Sequence, residues 1–594
     1  MTQRSFKNRP WNVAAPKHAD VQALQAAAGI GRLEAFVLAG RGVTPSSVGN
    51  FLDPKLKTEM PNPTFFLGME DTAERLARAI LGEEHIAIWS DYDVDGATSA
   101  AILGRFLRGN GVEQFTLNIP DRIAEGYGPN VDGMQRLAAE GVQLVCVLDS
   151  GTTAFESLAA AKAAGLEVLV VDHHMAEETL PDVVAVVNPN RRDQETGFGH
   201  VCAAGMTFLL CVETNRRLRL LGQPGMDLMP LVGLVALGTV CDVVPLKTLN
   251  RAFVTRGLPI LSQRGFAGVK ALADAAGVEG DIDVGVCGFG LGPRINAGGR
   301  IGDSSLGVRL LLTDDEEEAK TIAATLDRLN KERQDMEKLA SSQAIASLQG
   351  RFIPGETRAL AVAVVEAHEG VVGISAARVK ESYDAPAFVL APTHDGVLKG
   401  SGRSVKGFDL GAAVVAARQE GLLVKGGGHA MAAGITIDPK NLDAFIAFVD
   451  AAIKVSDYGR DGVALDVDAE ISARDLSVDW VEQMESLGPF GMGNPTPRFL
   501  LKDVRVVDRR ILKEKHVKLR VQDASGNGKR FDAPLWNAVG TPLDDMFTLA
   551  GERTLDLVCA IEINEWNGSQ SIQLKLEDAR LVEAMEPMVE HVPF

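Results

Sequence analysis

The stretch "SDYDVDGATSA" at residues 90–100 carries the strongest signal for the fold. Counted from Asp91, its alternating acids and Gly96 imitate the first half of a calcium-binding EF-hand loop. The twelfth position of such a loop requires a bidentate glutamate, and here it is Ile102. The apolar run "HIAIW" directly before the acids is typical of a buried strand. We therefore predict three aspartates at the end of a strand, and no EF-hand.

The composition describes a large, acidic, globular protein. Its 594 residues predict three or four domains, and its formal charge of −19 argues against indiscriminate binding to nucleic acid. The longest apolar stretch, "LMPLVGLVALGTV", is too short to span a bilayer, and the N-terminus lacks the apolar core of a signal peptide. The six cysteines form no CxxC pair, which favours buried thiols in a reducing, cytoplasmic setting.

The pattern of apolar runs divides the chain into five segments. After a helical lead-in over 1–70, strand-like runs alternate with Ala-rich helical stretches, which predicts a parallel sheet with helices on both faces over 71–312. An acidic start and a helical apolar stripe then predict a helix from about 314 to 348, roughly 50 Å long. A helix of that length favours a strut between domains, so we assign 313–350 as a connecting helix.

Two smaller domains are predicted after that helix. The runs "RALAVAVVEA", "APAFVLA" and "VKGGGHAMAAG" indicate a second α/β domain over 351–457. In 458–594, "VKLRV" and "SIQLKL" alternate apolar with polar residues, and Asn567-Gly568 is a favoured hairpin turn, which predicts an all-β domain. Within it, residues 504–530 hold nine Lys or Arg against three acids, a basic island in an acidic protein.

Four apolar runs end in aspartate: "HIAIWSDYDVDG", "LVCVLDSG", "EVLVVDHH" and "LVALGTVCDVVP". The first three predict strands, whereas the fourth fits either a strand or a helix. Ligands of parallel sheets bind at the carboxyl ends of strands, so we expect these side chains to converge there. A single aspartate would be read as a helix N-cap, but clustered carboxylates repel unless a cation neutralises them. Oxygen ligands with imidazole predict a site for Mn²⁺ or Mg²⁺, in which two metals would support phosphodiester hydrolysis.

The same four motifs resemble those that bind metal in the DHH phosphoesterase superfamily, which is named after "VVDHH" at 170–174. The strings "GPRINAGGR" (292–300), "SGRS" (401–404) and "GGGHAMAAG" (426–434) narrow the resemblance to the RecJ family of single-stranded-DNA-specific 5′→3′ exonucleases. It implies a parallel-sheet DHH domain, a long connecting helix, a smaller DHHA1 domain that binds substrate, and a C-terminal OB-fold that grips single strands.

The resemblance also implies roles for particular residues. His174 would face the scissile phosphate as a general acid or phosphate contact, and Asp95 and Asp149 would be central to catalysis. The metal ligands would be Asp91, Asp93, Asp95, Asp149, His173 and Asp242. The substrate contacts would be Arg122, Arg294, Arg300, Ser401, Arg403 and His429.

The partners implied are single-stranded DNA, a helicase and a single-strand-binding protein. No GxxxxGK[ST] or GxGxxG string points to a nucleotide cofactor. Phe531, Trp536 and Trp566 are candidates for stacking on bases, and each is equally compatible with a core position. Two alternatives are a DHH phosphodiesterase acting on short oligonucleotides, which the length disfavours, and a non-catalytic replication protein, which the intact acidic motifs disfavour.

Overall fold

The computed structural model describes residues 5–6, 9–122, 124–353, 358–456, 464–526, 528–551, 553–566 and 568–582. The chain forms two compact units. One consists of Pro54–Tyr458 with Gly491–Gly493, and the other of the described parts of Met1–Asp53, Gly459–Phe490 and Asn494–Phe594. Within the described ranges, no helix combines the length and apolar character needed to cross a membrane.

The larger unit is built on a parallel five-stranded sheet. Its strands, in spatial order, are Thr116–Asn118, Ile86–Ser90, Leu144–Leu148, Glu167–Val171 and Ala185–Val187. Ile86–Ser90 and Leu144–Leu148 are buried at every position, because helices cover both faces and leave no side of these strands exposed to water. The strands predicted from "HIAIW", "LVCVL", "EVLVV" and "VAVVN" are confirmed.

Helices surround this sheet and complete its core. They are Leu56–Glu59, Met69–Leu81, Val94–Gly109, Val131–Ala139, Phe155–Ala163, Ala203–Leu220, Val232–Cys241, Thr248–Ser262, Ala267–Ala275, Gly292–Ile301 and Leu306–Leu312, with short 3₁₀ turns at Pro63–Phe65 and Met229–Leu231 and a π-helical segment at Val286–Leu291. The fourth apolar run of the sequence is thus a helix. It is buried over its first eight residues, Val232–Thr239, so its apolar residues show no amphipathic period.

The long helix is confirmed at Glu316–Leu348, 33 residues. Its first half, through Ile322 and Leu326, packs into the core of the parallel-sheet domain. Its last turns, through Ala344 and Leu348, pack into a separate core. Between them, residues 334–339 are exposed or half-buried, with Leu339 59% exposed, and this stretch of the helix connects the two cores.

The second core belongs to a mixed five-stranded sheet. Its order is Lys425–His429, Ala432–Ile437, Leu398–Arg403, Ala387–Pro392 and Ala361–Val364, and the last two strands are parallel while the others are antiparallel. Helices Glu369–Tyr383, Leu410–Gln419 and Leu442–Val455 and a 3₁₀ turn at Pro439–Asn441 accompany it. This is the smaller α/β domain that the sequence predicted.

The other unit contains a sheet that closes on itself. Its strands are Ala469–Ile471, Phe499–Leu512, His516–Asp523, Arg530–Leu535, Ser569–Leu581 and Leu555–Trp566, and Phe499–Leu512 also pairs with Leu555–Trp566. Helices Val478–Glu485 and Pro542–Ala550 accompany this barrel. Trp566 pairs with Ser569 across the predicted hairpin, although Asn567 itself lies outside the described residues.

The N-terminal segment packs on this barrel. Strand Trp11–Val13 pairs in parallel with Leu465–Val467, and helices His18–Ala28, Arg32–Gly40 and Val48–Leu52 precede the larger unit. Leu24 and Leu38 share one apolar core with Phe499 and Leu557. The sequence pattern predicted a helical lead-in over 1–70 but not its packing against the barrel. The boundaries of the five predicted segments stay predictions.

Candidate metal centre and anion pocket

The carboxyl ends of three neighbouring strands bring the acidic motifs together. Asp91, Asp93 and Asp95 follow Ile86–Ser90, Asp149 follows Leu144–Leu148, and His173 and His174 follow Glu167–Val171 one residue later. Potential ligand atoms lie within 4.8 Å of one another in three overlapping groups: Asp91 with Asp93 and Asp149, Asp95 with His173 and Asp242, and Asp149 with His173 and His174. All six predicted metal ligands belong to one cluster.

The first motif is held by backbone hydrogen bonds. Asp93 is the N-cap of Val94–Gly109, and its Oδ1 accepts from the amides of Asp95 (2.9 Å) and Gly96 (3.1 Å). A Cβ added at Gly96 would lie 2.3 Å from the Asp91 carbonyl oxygen, so only glycine permits this turn. The N-cap interpretation and the metal-ligand interpretation of Asp93 are therefore compatible, because capping uses one of its two oxygens.

Asp95 is fixed more tightly. Its two carboxylate oxygens accept from the amides of Ala203 (2.7 Å) and Ala204 (2.9 Å), in the first turn of Ala203–Leu220. Those amides carry the positive end of that helix dipole, which favours the ionised carboxylate. Its Oδ2 also lies 3.7 Å from His173 Nε2.

His173 Nε2 lies between carboxylates from three elements. It is 3.3 Å from Asp149 Oδ1 and 3.8 Å from Asp242 Oδ2, in addition to the Asp95 contact. Asp242 is the C-cap of helix Val232–Cys241, so it arrives from a helix end and not from a strand. Asp242 therefore lies in the cluster at the end of a helix, one of the two elements its run allowed, and its role as a metal ligand stays a prediction.

Unpaired oxygens show that this cluster suits a cation. Asp91 Oδ1, Asp149 Oδ1 and Asp242 Oδ2 are buried and accept no hydrogen bond from any described residue. Burial and the charge of Asp93 raise the pKa of Asp91 to about 8, and burial with Asp95 and Asp93 raises that of Asp242 to about 9. Burial and then neighbouring carboxylates raise the pKa of Asp149 well above its usual range. Such a group of oxygens and one imidazole fits Mn²⁺ or Mg²⁺, which would remove the repulsion.

These pKa shifts lead to an expected effect of metal on stability. For carboxyl groups with a raised folded pKa, the stability contribution is complete below the unfolded pKa near 3.8 and is lost as pH rises through about 8 for Asp91 and about 9 for Asp242. Mn²⁺ competes with those protons, so we expect its stabilising effect to grow from pH 6 to pH 9. At a metal concentration 100 times Kd the gain is about 2.7 kcal/mol. Thermal melts at the two pH values measure it, and an equal shift of Tm at both would contradict the assignment.

Beside the metal cluster, three arginines form what we call the arginine cluster: Arg122, Arg300 and Arg403. Burial and then the charges of Arg122, Arg333 and Arg403 lower the pKa of Arg300 to about 10. Arg122 Cζ lies 5.0 Å from the centroid of the Tyr92 ring, within the first acidic motif. Arg300 donates to the Gly370 carbonyl and Arg403 to Ser401 Oγ, and neither forms an ion pair with a described acidic side chain, so the like charges repel. An anion would relieve the repulsion.

A cavity of about 460 Å³ adjoins the arginine cluster. It runs along the second sheet and is lined by Arg122, Glu369, Lys399, Ser401, Lys425 and glycines 426, 427 and 434. The predicted contacts Arg122, Arg300, Ser401 and Arg403 are thus brought together. The sequence does not reveal that these four residues lie together. Arg122 follows strand Thr116–Asn118 of the first sheet, whereas Ser401 and Arg403 lie in strand Leu398–Arg403 of the second.

Two predicted substrate contacts, Arg294 and His429, do not line this cavity. Arg294 donates to Asp327 Oδ1 and to the Gly290 carbonyl, and so fastens its helix to the long helix. His429 is exposed at the end of Lys425–His429 and, among the described residues, is not part of the cavity lining. Contact of either residue with substrate stays a prediction.

The structure gives positioning roles to several residues, one of which, Asp172, was expected from the sequence to converge with the other acids but had no assigned role. Asp172 Oδ1 accepts from His174 Nδ1 (2.8 Å), and its Oδ2 accepts from the Thr152 amide. The Tyr127 hydroxyl donates to the Asp149 carbonyl (2.9 Å) and lies 3.1 Å from His174 Nδ1. Side-chain amides of Asn188 and Asn190 donate to the carbonyls of His174 and His173. The run "VAVVNPN" held this signal, since its asparagines also follow the carboxyl end of a strand.

Three segments of the chain match models of known protein families. Residues 85–239 match the model of the DHH family, N-terminal domain, residues 357–455 match the DHHA1 domain, and residues 467–578 match the RecJ OB domain. Fold and site therefore define a DHH-class protein with a parallel-sheet DHH domain, a long connecting helix, a DHHA1 domain and an OB-fold, as the sequence predicted.

Full-length relatives narrow that class. The chain is 34% identical to the single-stranded-DNA-specific exonuclease RecJ of Salmonella typhimurium, and the match covers 86% of this chain and 90% of that relative. It is 32% identical to the single-stranded-DNA-specific exonuclease RecJ of Bacillus subtilis, and that match covers 96% of this chain and 71% of the relative. The chain belongs to the RecJ family. Crystal structures of Thermus thermophilus RecJ with Mn²⁺ and with Mg²⁺ match at TM-scores of 0.79 and 0.72, with 30% and 28% identity, over 97% of this chain and 80% and 79% of theirs.

Proposed function

We propose that the chain is a metal-dependent exonuclease that degrades single-stranded DNA from the 5′ end to mononucleotides, in DNA repair and recombination. One observation carries the proposal: a cluster of acids with unpaired oxygens lies beside a cluster of arginines whose like charges repel one another. Cations and a phosphate would neutralise both. The relatives described as single-stranded-DNA-specific exonucleases, together with the RecJ OB match, support DNA as the substrate.

The six ligands would hold two divalent cations. When bound, two such metals supply activation of the attacking water and neutralisation of charge on the phosphate. The chain's own part is to fix the ligands: amides of Ala203 and Ala204 hold Asp95, and the Asp95 and Gly96 amides hold Asp93. Asparagine side chains hold the backbone of both histidines.

His174 would give its proton to the leaving oxygen. Burial alone would lower the pKa of His174, but the hydrogen bond and charge of Asp172 outweigh it and raise the pKa above its usual range. Asp172 in turn has a pKa held below its usual range, with burial opposing and the His174 and Thr152 bonds prevailing. Asp172 therefore favours the protonated form of His174 and orients its ring, and the His174 side chain is 40% exposed.

The arginine cluster would bind the 5′-terminal phosphate. Ser401 Oγ and the guanidinium of Arg403 are joined by a 2.9 Å hydrogen bond, and the adjoining cavity is open to a terminal group. Binding a chain end beside the metal cluster would set both the 5′→3′ direction and the need for an end. A strand-separating helicase and a single-strand-binding protein are the partners that such a substrate requires, and six free thiols accord with a reducing cytoplasm.

The barrel would bind the single strand, although several basic residues of its 504–530 island are paired with acidic side chains. Arg509 pairs with Asp544, and Lys518 and Arg520 both pair with Asp532. Lys513 and Lys515 lie in the turn before His516–Asp523 and carry no ion pair among the described residues. Trp536 is 69% exposed, and its ring lies 5.0 Å from that of His516. Phe531 is buried in the core, and the Trp566 side chain lies outside the description.

Reversing Lys513 and Lys515 to glutamate together is expected to weaken binding of long single strands and flatten its salt dependence. Each lost phosphate contact removes about 0.7 from the slope of log affinity against log salt, or about 1.4 for two. Metal-dependent cleavage of very short oligonucleotides should be unaffected. The exposed pair Lys57→Glu/Lys338→Glu changes net charge equally and is the control. An unchanged slope would assign the barrel another role, such as docking a protein.

The proposed function is tested by digesting end-labelled single- and double-stranded DNA of equal sequence, with Mn²⁺, with Mg²⁺ and with chelator. We expect mononucleotides from the single strand only, and only with metal. Cleavage confined to oligonucleotides of a few residues would favour a phosphodiesterase for short substrates. Binding without cleavage under every metal condition would favour a non-catalytic protein.

A further inference from the structure

The cavity beside the arginine cluster is larger than one phosphate requires. Its volume of about 460 Å³ falls in the range of sites that hold whole small molecules, about 300–1,000 Å³. A phosphate group displaces only a few waters, each of which takes up about 30 Å³ of liquid. One phosphate beside Arg122 and Ser401 therefore leaves most of the space open, and the rest of the lining indicates what else the end of a strand could carry.

A row of polar side chains leads away from the arginine cluster. Successive side chains of a strand point to opposite faces, so Lys399, Ser401 and Arg403 share one face of their strand. The 2.9 Å hydrogen bond between Arg403 and Ser401 Oγ agrees with this arrangement. Lys399 is four residues from Arg403, roughly 13 Å further along the strand. The row therefore connects the arginine cluster to a second cation.

Two glycines continue the row at Ser401 across the neighbouring strands. Ser401 pairs with Gly434, and Gly434 pairs with Gly427. A Cβ added at either glycine would meet no other part of the chain within 4 Å. Glycines inside strands often mark places where a ligand comes close to the backbone. The floor of the cavity is therefore bare backbone that faces open space.

Beyond the glycines, two lysines lie on the same face of the sheet. Lys399 pairs with Thr436, and Thr436 pairs with Lys425. Neighbouring strands are about 4.8 Å apart, which puts the two lysine backbones roughly 10 Å from each other. Side chains as long as lysine can converge across that distance on one anion, with the Thr436 hydroxyl between them.

The charge of the lining favours an anion there. Arg122, Lys399 and Lys425 line the cavity together with a single carboxylate, that of Glu369. Glu369 Oε2 lies 2.9 Å from Lys399 Nζ, whereas Lys425 forms no ion pair with an acidic side chain of the described ranges. No aromatic ring from those ranges lines the cavity, so it offers no platform for a base. Further phosphates suit this lining better than a base does.

We propose that the cavity binds the second and third phosphates of a strand that begins with a 5′-triphosphate, with Lys399, Thr436 and Lys425 as their contacts. The arginine cluster holds the first phosphate, as in the proposed function on which this inference rests. Water breaks the bond between the 3′ oxygen of the first nucleotide and the next phosphorus; its oxygen stays on that phosphorus, and the 3′ oxygen takes a proton. The first product is an intact nucleoside 5′-triphosphate, and the shortened strand begins with a 5′-monophosphate.

The test compares two single strands of equal sequence, one with a 5′-monophosphate and one with a 5′-triphosphate. Fluorescence anisotropy with chelator present gives the ratio of the two affinities, and incubation with Mn²⁺ gives the first nucleotide released. We expect the wild-type protein to bind the triphosphate strand about ten-fold more tightly, because two further charged contacts form at exposed lysines. The first nucleotide released from that strand should be a nucleoside triphosphate.

Variants assign this preference to the cavity. Lys399→Ala/Lys425→Ala should lower the ratio to about one, and Gly434→Val should lower it by filling the open space above the floor. Lys406→Ala/Lys440→Ala removes two exposed lysines that do not line the cavity and should keep the ratio. Each ratio compares two strands on the same protein, so a general loss of folded protein does not imitate the effect.

The outcomes separate the two proposals. Equal affinity of the wild-type protein for the two strands would overturn the inference, and so would a preference that survives in Lys399→Ala/Lys425→Ala. Release of a nucleoside monophosphate first from the triphosphate strand would also overturn it. A protein that prefers the triphosphate strand through these lysines yet releases no nucleotide with Mn²⁺ or Mg²⁺ would overturn the exonuclease proposal and leave the binding site standing.

Discussion

Asp149→Asn is expected to lower the rate of metal-dependent cleavage by about 10³-fold, which corresponds to about 4 kcal/mol. Asp149 Oδ1 is buried without a hydrogen-bond donor and lies 3.3 Å from His173 Nε2. An amide removes the negative charge of a residue that belongs to two of the three overlapping ligand groups. The rate at limiting Mn²⁺ measures the effect, and Mn²⁺ affinity should fall with it.

Asparagine is the informative substitution because the Asp149 backbone is left-handed, with φ of 55°. Asparagine tolerates that conformation, whereas alanine would add strain to the loss of the ligand. The exposed residue Asp384 is also left-handed, with φ of 47°, so Asp384→Asn is a matched control that should retain full activity. A near-normal rate in Asp149→Asn would make Asp149 a turn residue only.

Arg403→Ala is expected to lower kcat/KM for 5′-phosphorylated single strands by about 10- to 150-fold, since a hydrogen bond between charged groups contributes about 1.5–3 kcal/mol. Strands that begin with a 5′-hydroxyl should lose much less. Burial and then the charge of Arg122 lower the pKa of Arg403, and a bound anion would offset both effects. Mn²⁺ affinity should not change, because arginine does not bind cations.

The charge-retaining variant Arg403→Lys should recover part of this loss, since lysine lacks the planar fork that donates two parallel bonds. Arg378→Ala on the same domain removes a solvent-exposed arginine paired with Glu337 and Glu381, and should have no effect. Equal losses for 5′-phosphate and 5′-hydroxyl strands would show that Arg403 acts on the fold and not on the chain end.

Local sequence patterns predicted the strands of the parallel sheet and the acidic residues that meet at its edge. Strands buried on both faces read as continuous apolar runs, and the acids directly after them must meet at one edge of a parallel sheet, which placed Asp93, Asp95, Asp149 and His173 together. The fourth run could not be resolved, because a helix buried all round has the same composition as a buried strand.

Contacts between distant segments could not be predicted. Nothing in the sequence around Leu24 or Leu38 reveals that their apolar faces pack on a barrel more than 400 residues later. Likewise, Arg294 and Arg300 look alike in a glycine-rich string, yet one pairs with Asp327 and the other joins the arginine cluster. The sequence also did not show that Asp532 and Asp544 pair with basic residues of the 504–530 island and so lower its free positive charge.

The most direct measurement uses one single strand in two forms, linear with a 5′-phosphate and ligated into a circle, incubated with the protein and Mn²⁺. We expect the linear form to release its 5′ nucleotide first and then shorten to mononucleotides, while the circle stays intact. Both reactions should stop with chelator. Cleavage of the circle at a comparable rate, or release of the 3′ nucleotide first, would contradict an exonuclease that starts from a 5′-phosphate held by the arginine cluster beside its metal centre.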